Sequence, residues 1–138
     1  MNTLLFLTSL AGAALAQNAR IGLPEAGHSL KAGEELIVQV QRPNSLTGSQ
    51  EVGVAIGIQS CANGPCHPPK DAMGQILYNG PFKPVYHEHS LPPYENFTVT
   101  VPDSVASGEA VIGVAHVSLV GAGPFPFLEV LDQNVKVA

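Results

Sequence analysis

The segment Tyr86-His87-Glu88-His89 sets two imidazoles two residues apart. In an extended chain both face the same side, where they could share a metal ion. His67, beside the cysteines, and His116, in an apolar run, are further candidate nitrogen ligands. A His-x-His pair on a surface is more often solvated than loaded. No cofactor is therefore expected, and His87 with His89 stays the alternative metal site. Catalytic chemistry finds little to work with. The sequence has no G-x-S-x-G elbow, phosphate-binding P-loop or H-E-x-x-H helix. Ser118 follows His116 by two residues, on one face of an expected strand, without a positioned acid or an oxyanion hole. Asp71, Asp103 and Asp132 fall in expected loops or the last strand and form no evident acid pair. The expectation is a protein that is not an enzyme.

Two residue patterns point to covalent modification. Asn96-Phe97-Thr98 is an N-glycosylation sequon in a chain that carries an export signal. The two cysteines, Cys61 and Cys66, close a tight loop through Asn63-Gly64-Pro65. Zinc wants four ligands and redox pairs usually sit as C-x-x-C, so a structural disulfide is expected. Closing so short a loop contributes about 2 kcal/mol by restricting the unfolded chain. It stiffens one loop and does not join distant elements.

The export signal is residues 1–16. An apolar run through Leu4, Leu5, Phe6 and Leu7 to Leu15 ends in Ala14-Leu15-Ala16, an A-x-A cleavage pattern before Gln17. No later stretch reaches the roughly 18 apolar residues of a membrane span, so no span is expected. Residues 17–138 are read as one secreted, monomeric domain. The net charge is −5 and the six Lys and Arg residues are scattered, which argues against nucleic acid.

These residues need a scaffold, and its period is two. Residues 35–41 alternate Leu36, Val38 and Val40 against Glu35, Ile37, Gln39 and Gln41. Residues 52–58 place Val52, Val54, Ile56 and Ile58 on one face, with Gly53, Ala55 and Gly57 on the other. That small face implies something packed closely against it. Further strands are expected over residues 21–24, 76–78, 97–101, 110–119 and 128–137. No stretch carries a helical apolar stripe. The reading is all-β: an immunoglobulin-like β-sandwich of about seven strands with long Pro-rich loops. It has neither the Trp nor the long Cys–Cys spacing of a true immunoglobulin domain. Two loops stand out, residues 79–95 with Phe82, Tyr86 and Tyr94, and residues 121–128 with Phe125 and Phe127. A connection as long as the first is uncommon in a compact domain and tends to be functional or disordered. The default reading is that either loop caps the core, and an exposed patch would instead mark a partner site.

Several strings resemble the necrosis-inducing secreted protein family of fungal effectors. They include Ile56-Gly57-Ile58-Gln59-Ser60-Cys61, Tyr86-His87-Glu88, and residues 42–48, 73–82, 93–99 and 121–129, in one order across nearly the whole mature chain. The resemblance implies a non-enzymatic fungal protein that binds plant immune-receptor-associated kinases. It also implies suppression of pattern-triggered immunity, cell death in some cases, and passage into the host plant cell. The family supplies no binding residues to carry over. Aromatics on proline-stiffened loops lose little entropy on binding. They give the expected contact set: Tyr78, Phe82, Tyr86, His87, Tyr94, Phe125 and Phe127. The alternative is an extracellular metal- or glycan-binding β-sandwich module of a non-pathogenic fungus.

Overall fold

The computed structural model describes residues 19–44 and 48–138. The leader expected at residues 1–16 and the middle of the 42–49 loop lie outside the described residues. The described residues form eight strands and no helix: β1 Arg20–Leu23, β2 His28–Leu30, β3 Glu35–Gln41, β4 Ser49–Ser60, β5 Gln75–Gly80, β6 Tyr94–Thr100, β7 Gly108–Val120 and β8 Phe125–Val137.

They build a β-sandwich from a three-stranded sheet, β1-β3-β6, and a five-stranded sheet, β2-β8-β7-β4-β5. The apolar face read in β3 holds, with Leu36, Val38 and Val40 buried, while Gln39 and Gln41 on the opposite face are buried too. Leu36, Val38 and Val40 meet Val54, Ile56 and Ile58 of β4, Ile112 and Val114 of β7, and Leu131 and Val135 of β8 in one apolar core. The eighth element, β2, was not expected: it is only three residues long and pairs parallel with β8. Strands β7 and β8 run longer than the apolar periodicity suggests, because each ladder continues through polar or proline-bearing residues.

The small face of β4 is covered as its composition demands. Segment 68–74, which follows the Cys61–Cys66 disulfide, crosses the outer surface of the five-stranded sheet over the paired glycines Gly57 and Gly113. A Cβ on Gly57 would lie 2.3 Å from the Met73 carbonyl oxygen, and one on Gly113 would lie 2.6 Å from Pro69 Cβ. The obstacle at Gly57 is backbone and cannot swing aside. Gly57→Ala is accordingly expected to destabilise the fold by about 1–3 kcal/mol, the cost of overpacking, read as a lower midpoint in denaturant unfolding.

Candidate functional site

Alternation counted back from Val54 would turn Val52 inward and Glu51 outward. The β4–β7 ladder instead slips between Glu51 and Gly53, where Glu51 faces Ser118 and Gly53 faces Val117. The extra residue of this bulge reverses the two side chains. Val52 is 55 % exposed, and the Glu51 side chain turns into the sandwich. There it meets His116, which stands opposite Val54 on β4 and opposite Glu129 on β8.

The imidazole is fully buried between two carboxylates. Its Nδ1 lies 2.9 Å from Glu129 Oε1, and its Nε2 bonds Glu51 Oε2. The other oxygen of Glu51 takes Arg42 Nε at 2.5 Å, while Arg42 Nη2 donates to Ser49 Oγ. Arg42 immediately follows β3, so this ion pair ties one sheet to the other. With His116 protonated, two cations offset two carboxylates; with it neutral, the largely buried cluster would carry a net negative charge. Burial pulls the His116 pKa down, but the hydrogen bonds to Glu129 and Glu51, with the charges of both, outweigh it and raise the pKa to about 9. Ser118 lies buried on the same face as His116, as its spacing implied.

Above this cluster, three connections meet at one end of the sandwich. Gly121 N donates to Gly48 O at 2.9 Å, joining the β7–β8 turn to the β3–β4 loop. The Asn44 side-chain amide donates to the Tyr86 hydroxyl, bringing in the connection from β5 to β6. That connection, residues 81–93, is held along its length. Tyr78 OH donates to Pro81 O at 2.6 Å, Lys83 N donates to Glu95 Oε1 at 2.8 Å, and Val85 and Tyr94 exchange backbone hydrogen bonds.

The expected contact aromatics divide into supports and exposed groups. Phe82 is buried and meets His116 edge to face, with ring centroids 5.4 Å apart. Tyr94 is buried beneath His87, whose ring stacks on it at 4.1 Å. Its hydroxyl donates to Glu88, and desolvation, then the Glu88 hydrogen bond and charge, raise its pKa. Tyr78 is half-buried against Phe97, and Phe127 is half-buried too. Tyr86 is 63 % exposed and Phe125 56 %; Val85 and Leu128, absent from the expected set, are as open. A hollow of about 430 Å³ is lined by Tyr86, His87, Glu88 and His89. Phe82 and Tyr94 therefore brace the 81–93 connection, which presents Val85 and Tyr86, while Phe125 and Leu128 lie open on the β7–β8 hairpin.

His87 and His89 share this hollow, while His67 lies exposed beside the disulfide and His116 is internal. Among the described residues, no three His, Cys, Asp or Glu side chains are placed to hold a metal ion. Among the described residues, no helix is long and apolar enough to cross a membrane.

Residues 14–136 match the Nis1 family, and the chain belongs to it. It is 28 % identical to necrosis-inducing secreted protein 1 of Colletotrichum higginsianum, over 95 % of this chain and 87 % of that protein. It is likewise 28 % identical to necrosis-inducing secreted protein 1 of Colletotrichum orbiculare, over 96 % of this chain and 80 % of that one. Among solved structures, two variants of the superoxide reductase neelaredoxin from Ignicoccus hospitalis align with TM-scores of 0.48 and 0.49 at 18 % identity. Each alignment covers 88 % of this chain and 80 % of the other. At that level of likeness nothing is carried over from them.

Proposed function

We propose that this protein is a secreted fungal effector that acts by binding. Its partners are plant immune-receptor-associated kinases, and the consequence of binding is suppressed pattern-triggered immunity, with cell death as a further outcome. The observation that carries the reading is membership of the Nis1 family, together with two relatives named for secretion and necrosis. The site supports binding over catalysis. The His116 ring is fully buried with both its nitrogens engaged by carboxylates, whereas the Tyr86 end offers open apolar side chains on a braced backbone.

An oxidative-burst assay tests the reading. Leaves expressing the protein should answer a microbial elicitor with a reduced burst. The Tyr86→Ala protein, accumulating to the same level, should restore much of the response. An undiminished burst with the wild-type protein would count against the reading.

A further inference from the structure

The outer face of the three-stranded sheet carries a chain of side-chain hydrogen bonds with a fixed polarity. Arg20 Nε donates to Gln41 Oε1 at 2.6 Å, Gln41 Nε2 to Gln39 Oε1 at 2.7 Å, and Gln39 Nε2 to Asn96 Oδ1 at 3.2 Å. A guanidinium can only donate, so Gln41 must offer its oxygen, and each amide downstream is oriented in turn. The relay ends by holding the Asn96 oxygen and leaving its Nδ2 outside the network. Gly22 lets the glutamines lie flat, since a Cβ there would come within 2.3 Å of Gln39 Oε1.

Asn96 is exposed, on an outer strand of its sheet, and Thr98 of the sequon is exposed on the same face. Leu23 and Asn96 both pair with Gln39, and Ile37 pairs with Thr98. Ile37, opposite Thr98, and Leu23, across Gln39 from Asn96, are 46 % and 38 % exposed and leave apolar surface on the amide's face of the sheet.

We propose that Asn96 carries an N-linked oligosaccharide whose first N-acetylglucosamine units lie over Leu23 and Ile37 and shield the edge of β6 beyond its bridge to Val85. The donor is a lipid diphosphate-linked oligosaccharide. Asn96 Nδ2 bonds to C1 of the reducing sugar, the bond from C1 to the diphosphate oxygen breaks, the lipid diphosphate leaves and Nδ2 loses one proton. An outer strand with a covered edge resists pairing with another chain.

The test is peptide mass spectrometry of the full chain secreted from a yeast, before and after peptide N-glycosidase. The Asn96 peptide should carry a hexosamine-based mass that the enzyme removes, leaving aspartate at that position. Thr98→Val, which keeps a strand-forming residue, should abolish the modification while the protein still folds. An unmodified wild-type Asn96 would overturn the proposal. Placement over Ile37 has its own readout. Glycosylated protein should unfold at higher denaturant than the enzyme-treated form, with a smaller gap in Ile37→Ser. An unchanged gap would overturn the placement.

Discussion

Raising the pH from 6.5 to 9 should cost this protein about 3 kcal/mol of stability, and His116→Leu should abolish most of that dependence. The folded pKa of His116 lies near 9, above the ordinary value of 6.5. A raised pKa means that the folded state holds the proton more tightly than the unfolded chain. The stabilisation is complete below pH 6.5 and disappears as the pH rises through 9. The groups around the ring determine this: Glu51 on one nitrogen, Glu129 on the other, Arg42 behind Glu51, and Phe82 against the ring. His116→Leu should itself cost about 3–5 kcal/mol at neutral pH, because it removes one cation from a buried balanced set. Urea midpoints measured across this range for both proteins check the prediction. A wild-type midpoint that stays flat from pH 6.5 to 9 would show that His116 is not protonated in the fold.

Phe82→Ala is expected to destabilise by about 3–5 kcal/mol, while Tyr86→Ala should leave stability within about 0.5 kcal/mol. The two aromatics lie four residues apart in one proline-rich connection. Yet Phe82 packs against His116 and, at 6.2 Å between ring centroids, against Phe97, whereas Tyr86 is 63 % exposed and its hydroxyl meets the Asn44 amide. Removing the Phe82 ring leaves a cavity beside a charged cluster and frees one end of the 81–93 connection. Amide exchange of residues 83–93 should accelerate in Phe82→Ala and stay unchanged in Tyr86→Ala. Equal effects in the two variants would contradict the division into support and contact.

That division was only partly legible in the sequence. β3 and the core half of β4 declared themselves, because each turns one unbroken row of branched apolar side chains into the core. The Glu51 bulge left no local mark, since a slip in the ladder exists only relative to β7. The cluster it completes joins residues from the β3 end, β4, β7 and β8, which only strand pairing brings together. Phe82 and Tyr94 read as surface aromatics because they lie in or beside a proline-rich loop. One turns into the sandwich and the other is roofed by His87. Three residues are too few for β2 to show a period. The glycines of β4 did signal close cover, and segment 68–74 supplies it.

Calorimetric titration of the mature protein into the kinase domain of a plant immune-receptor-associated kinase measures the proposed binding itself. Saturable binding is expected, weakened by about 1–2 kcal/mol, or roughly 5- to 30-fold, in Tyr86→Ala. Absence of binding by the folded wild-type protein would contradict the proposed function. Undiminished binding by Tyr86→Ala would remove that end of the sandwich as the contact surface.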